Sequence, residues 1–183
     1  MNRLATVGLC VLVWLAAAPA AMSADLKIAD FVGHYAGTGI ANSKDAVTLG
    51  LVNRDFDVVI EKANDGFAVA WTTVVRQGVG QDEKQEVKRS SAKIEFKATA
   101  SPRVFKAPAH NDPSGDQGYA WANIEGRTLT VYIMVVDAKT GAYDLHSYAR
   151  TLTESNEMAL KFTRISTGRP RVIVEGMLKR MAG

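Results

Sequence analysis

The side chains best suited to acid–base or metal chemistry in this sequence are three histidines, His34, His110 and His146. None lies two or four residues from another, the spacings that aim neighbouring imidazoles at one ion. A metal site would therefore need all three to converge or to recruit carboxylates, and none is expected. Asp144, His146, Tyr148 and Arg150 alternate along one segment and so share a strand face. Such a polar row could line a barrel interior, but Leu145, Ser147, Ala149 and Thr151 offer the simpler interior, so the polar row is expected to face outward. Asp55 and Asp57 also share a face, as a general acid and base would. They lie opposite Phe56, Val58 and Ile60, which places them in solvent. The sequence has no Gly-x-Ser-x-Gly elbow, no His-Glu-x-x-His and no phosphate loop. Its one cysteine, Cys10, falls in an apolar leader, which rules out a disulfide, a thiolate metal site or a thiol nucleophile in the chain that follows. No catalytic, cofactor-binding or metal-binding residue is expected.

Binding has the better case, because alternating segments put large apolar side chains on one face. Phe56, Val58 and Ile60 lie on one segment, and Phe67, Val69 and Trp71 on the next. Later segments add Leu129, Val131 and Ile133, then Leu160 and Phe162. These eleven could line a pocket that holds one small molecule, or fill the space as a dry core. Small residues at Ala68, Ala70, Gly118, Ala120 and Ala122 leave both options open.

The elements that must position these faces are all extended. Phe31 to Ala41 is a Gly-rich first strand. Arg54 to Ala63, Asn64-Asp65-Gly66 and the return through Val75 form a hairpin. Val87 to Ala98, Gly118 to Ile124, Arg127 to Ala138, Tyr143 to Thr153, Met158 to Ser166 and Arg171 to Arg180 follow, mostly joined by short turns. Thr128 to Val136 is apolar on both faces, as in a strand covered on each side. Two stretches interrupt the pattern. Asn42 to Asn53 is a possible short helical or irregular cover, and Ala107 to Gln117 is rich in Pro, Asp, Asn and Gly. The regular spacing predicts an all-β fold, a single antiparallel up-and-down barrel of about eight to ten strands.

The leader has the three parts of a secretory signal: Arg3, the apolar run Leu4 to Ala18, and small residues up to Ala24. Cleavage after Ala20 or Ala24 fits, and Ala24 is preferred because Asp25 then opens a polar chain. The domain plan is a cleaved signal over 1–24 and one β-barrel domain over 25–183, with no transmembrane segment after cleavage. A disulfide-free exported domain points to a bacterial periplasm, or otherwise to secretion. The chain has 22 basic and 19 acidic residues without a block of one sign, so no nucleic-acid partner is expected.

The run Gly33-x-Tyr35 resembles the Gly-x-Trp opening of calycin barrels, with Tyr35 in place of tryptophan. The last strand is similar to that of lipocalins, whose arginine stacks over this aromatic. The resemblance implies a calycin-like barrel closed by Gly33, Tyr35 and Arg180. Gly33-x-Tyr35-x-Gly37-x-Gly39 is also similar to the signature of haem-binding nitrobindin barrels. Their C-terminal haem histidine has no counterpart in Arg169 to Arg180, so His146 or Tyr143 would have to serve, and no cofactor is expected.

The leading expectation is an exported soluble barrel that binds a small hydrophobic or amphipathic molecule without catalysis. The alternative is a cell-envelope protein-interaction module with a filled barrel. An envelope enzyme using a polar interior comes last.

Overall fold

The computed structural model describes residues 25–43, 52–77 and 86–182. The leader, with its two cleavage positions, and most of the Asn42–Asn53 stretch lie outside the described residues. A short helix α1 (Ile28–Phe31) leads into ten strands. These are β1 (Gly33–Ser43), β2 (Val52–Ala63), β3 (Gly66–Gln77), β4 (Glu86–Ala98) and β5 (Val104–Asn111), then β6 (Tyr119–Glu125), β7 (Thr128–Val136), β8 (Tyr143–Leu152), β9 (Met158–Ser166) and β10 (Arg169–Arg180). Each strand pairs antiparallel with its sequence neighbours, and β1 pairs with β10. The result is one closed up-and-down barrel, narrowest in its pairing between β4 and β5, which meet only at Lys97–Lys106 and Ala98–Phe105.

Closure brings β1 and β10 unusually near each other where Gly39 faces Gly176. A Cβ on Gly39 would lie 2.5 Å from the Glu175 carbonyl oxygen, and one on Gly176 would lie 2.6 Å from that of Thr38, so only glycine fits either position. The hairpin between β2 and β3 turns at Asn64, whose φ of 42° asparagine tolerates.

The fold departs from the sequence expectations in four places. The face of β7 that carries Tyr132 stands on the outside of the barrel rather than under a cover, and only Leu129 and Val131 of that strand are buried. Phe31 belongs to α1 rather than to the first strand, and it is fully buried. β5 occupies part of the stretch expected to be irregular. Its Phe105 and Ala107 point inward, but Pro108 lacks a donor and the ladder to β6 is interrupted between Lys106 and Asn111, which hid the strand's period. On β8 the polar row faces inward rather than outward: Arg150 is 1% exposed and Leu152, of the same parity, is 2% exposed. The row of Leu145, Ser147, Ala149 and Thr151 holds only one large apolar side chain, whereas the inward row carries Tyr148 and Leu152 to pack.

One end of the barrel is sealed. Tyr35 is fully buried and its hydroxyl donates to the Phe31 carbonyl at 3.0 Å. Arg180 lies over the Tyr35 ring at 5.1 Å and donates to the Asp30 carbonyl at 2.8 Å. A Cβ on Gly33 would touch both the Tyr35 ring and the Arg180 side chain, so these three residues form one closure. Asp25 fastens the preceding segment by accepting from the Gly126 amide and, at 2.8 Å, from Arg103, contacts that hold its carboxyl below the usual carboxylate range.

Candidate functional site

The barrel interior is divided between packing and space. Toward the sealed end, Phe67 stacks on Phe96 at 5.0 Å and meets Phe105 edge-on at 5.0 Å. Ile60, Val69, Leu129 and Val131 are buried in the same cluster, and Ile133 packs against it while partly exposed. Beyond this plug lies a cavity of about 330 Å³.

Phe56, Val58, Trp71, Leu160 and Phe162 line that cavity, with Val75 and Val174. All eleven apolar residues singled out in the sequence belong to or pack against one buried cluster, and five of them also face the cavity. The polar wall consists of Arg54, Thr73, Lys88, Ser90, Tyr148 and Arg150, of which the sequence reading assigned none to a pocket. Alternation places them there. Arg54 precedes Phe56 and Val58 on the inward face of β2, and Arg150 sits two residues from buried Leu152 on β8.

Strand direction sets the polarity of the site. Arg54 and Lys88 lie two residues inside the ends of β2 and β4 at the open end, while Arg150 lies near the sealed end of β8. The cavity thus runs from two cations at its mouth to one at its floor.

Aromatic rings make up much of the wall. Trp71 meets Tyr148 at 5.1 Å, Tyr148 meets Phe162 at 4.8 Å, and His146 meets Phe162 edge-on at 5.7 Å. The Arg150 guanidinium carbon is 5.6 Å from the Trp71 ring centre and 5.5 Å from that of Tyr148, within cation–π range of both. Its Nη1 donates to the Tyr148 carbonyl at 3.2 Å, and its Nε has no hydrogen-bond partner among the described residues. Burial pulls Arg150 down to about 10, still high enough to keep it charged at neutral pH, and pushes the Tyr148 hydroxyl up. Arg54 is likewise lowered by desolvation, and its Nε also lacks a partner.

His146 projects from the inward row above Tyr148. Its Nε2 is buried without a partner, and desolvation, aided by the nearby Arg164 charge, lowers it below the usual histidine range. The Asp144 carboxylate accepts from Arg164 at 2.6 Å and from the Ser166 hydroxyl. These contacts, Arg164 foremost, hold Asp144 low. The outward carboxylates are engaged elsewhere: Asp55 pairs with Arg76, and Asp57 meets His34 Nε2 at 2.7 Å. His110 Nδ1 donates to the Gln117 carbonyl at 2.8 Å. The three histidines stand on separate parts of the barrel, and among the described residues no group of His, Cys, Asp and Glu is arranged to hold a metal.

No protein-family model matches this sequence, and no curated protein matches it. The reading of the site therefore rests on its geometry.

Proposed function

We propose that this chain is an exported barrel that binds a small hydrophobic or amphipathic molecule in its cavity, without covalent chemistry. The observation that carries the reading is the aromatic-walled cavity itself, whose volume of about 330 Å³ lies at the low end of the roughly 300–1,000 Å³ of small-molecule sites. The apolar wall suits the body of such a ligand, and the few inward polar groups would fix its orientation. Charged exterior side chains on β2 to β4, among them Asp57, Glu61, Lys93, Glu95 and Lys97, support a barrel that stands in water rather than lipid. Among the described residues no helix is long and apolar enough to cross a membrane. Export rests on the sequence of the leader. Cleavage after Ala24 would leave Asp25 first, already held by Arg103 and Gly126.

The test uses the two tryptophans outside the leader, Trp71 on the cavity wall and Trp121 on the outer face. In a Trp121→Phe variant, titration with medium-chain fatty acids or a hydrophobic dye should change the remaining Trp71 emission saturably. Native mass spectrometry of gently purified protein should show a bound species of low mass. No emission change together with no bound species would refute the reading.

One observation favours a second reading. Trp121 lies between Tyr119 at 5.6 Å and Tyr132, stacked at 4.8 Å, forming an aromatic row on the outer surface of β6 and β7. Such a row suits a protein partner of the cell envelope. Binding that is lost in Trp121→Ala but kept in Trp71→Phe would identify that role.

A further inference from the structure

We propose that the cavity's ligand is a small organic anion, a carboxylate on an apolar body about the size of one ring, whose acidic group pairs with Arg150 at the floor. This rests on the cavity being a binding site and adds the sign and the place of the ligand's charge.

Arg150 is the only charged residue among the described residues that is buried, at 1% exposure. A guanidinium carries five donors, yet Arg150 makes a single hydrogen bond among the described residues, to the carbonyl of Tyr148, while its Nε remains unpartnered. The ion pairs of the described residues join His34 to Asp57, Arg76 to Asp55, Lys93 to Glu61, Arg103 to Asp25, Lys161 to Glu175 and Arg164 to Asp144. None includes Arg150. A buried cation normally comes with a counter-charge, because removing it from water is costly. Here two rings hold the guanidinium, and no described carboxylate reaches it.

The cavity's remaining charge has the same sign. Arg54 and Lys88 stand at the mouth, and no acidic side chain is among the described residues that line the cavity. A low-dielectric channel lined by one sign concentrates the opposite ion and draws it inward. The floor favours a planar carboxylate, which an arginine fork can bind through two parallel bonds. Trp71, Tyr148 and Phe162 supply rings against which the ligand's body can stack.

Calorimetric titration of the purified protein with 4-phenylbutyrate, neutral 4-phenylbutanol and cationic 4-phenylbutylamine separates these ideas. The carboxylate should bind roughly tenfold or more tightly than the alcohol, as expected for a charge-assisted bond, and the amine weakest of all. Arg150→Met should abolish the carboxylate's advantage while leaving the alcohol's affinity within about threefold, and Arg54→Met should reduce it. Far-UV circular dichroism checks that each variant is folded, and the wild-type ranking of the three probes needs no variant. Equal binding of carboxylate and alcohol, unchanged by Arg150→Met, would overturn the anion while leaving the cavity a binding site. Failure of all three probes to bind at millimolar concentration would overturn both.

Discussion

Replacing Arg150 with methionine should make the ligand-free protein more stable. Burial lowers the arginine from its ordinary value to about 10, so its charge at neutral pH costs roughly 3 kcal/mol relative to solvent. Methionine is of similar length and leaves no buried charge. The variant gives up one hydrogen bond, to the Tyr148 carbonyl, worth about 1 kcal/mol. It also gives up the contacts with the Trp71 and Tyr148 rings, together about 1 kcal/mol. The difference leaves Arg150→Met more stable by about 1 kcal/mol, or about 2–4 °C in Tm for a domain of this size. Urea midpoints and thermal melts at neutral pH in ligand-free buffer measure it. A loss of about 2 kcal/mol or more would mean that the guanidinium already has an anionic partner within the chain, since breaking a compensated buried pair destabilises strongly. That result would remove the basis for both the predicted gain and the proposed role of Arg150.

Further outcomes follow from other parts of the barrel. His146 is held neutral by burial, so the unfolded chain binds more protons than the folded one at pH values between the lowered folded value and about 6.5. Stability should therefore fall as pH drops through that window, and His146→Gln should lose less between pH 7.5 and 5.5 in urea titrations; equal losses would refute the assignment. Phe67→Ala, which removes a fully buried ring from two aromatic contacts, should cost about 3–5 kcal/mol by chemical denaturation. Thr167 holds a φ of 46° beside Gly168 at 80°, a pairing that asparagine accepts more readily than a β-branched residue, so Thr167→Asn should raise stability by about 0.5–1 kcal/mol. Protein recovered from an exporting bacterial host should have a mass that places its first residue at Asp25; a chain retaining Met1 would refute cleavage.

Period-two alternation made most of the fold legible. It found the β2–β3 hairpin, the late meander and the apolar faces, because one large side chain at every second position is a signal that local sequence carries. It missed β5, where only Phe105 and Ala107 mark the inward face before Pro108 breaks the ladder. The candidate site was legible in part. Phe56, Val58, Trp71, Leu160 and Phe162 were in view as interior residues, but which of the eleven would face space and which would pack depends on where the aromatic plug forms. That is decided by contacts between distant strands, such as Phe67 with Phe105. On β8 polarity points the row of Asp144, His146, Tyr148 and Arg150 outward, whereas parity with buried Leu152 turns it inward. Leu152 was the available clue, since a strand cannot turn over between Arg150 and Leu152 without a bulge.

The division into plug and cavity explains how a barrel can carry an uncompensated arginine inside. Phe31, Tyr35 and Leu178 are fully buried at or next to the sealed end, where Arg180 and the β1–β10 seam complete the closure. Stability is therefore concentrated away from the open end, and the cavity wall can depart from good packing without unfolding the domain. A residue such as Arg150 then has a cost that ligand-free folding does not repay, and a bound anion would repay it. At a hundredfold excess over its Kd, a ligand stabilises the wild type by about 2.7 kcal/mol, while a variant that binds it tenfold more weakly gains about 1.4 kcal/mol, so the difference of about 1.3 kcal/mol offsets the roughly 1 kcal/mol by which Arg150→Met leads when empty. The lead of the variant over the wild type should accordingly disappear on saturation with a carboxylate.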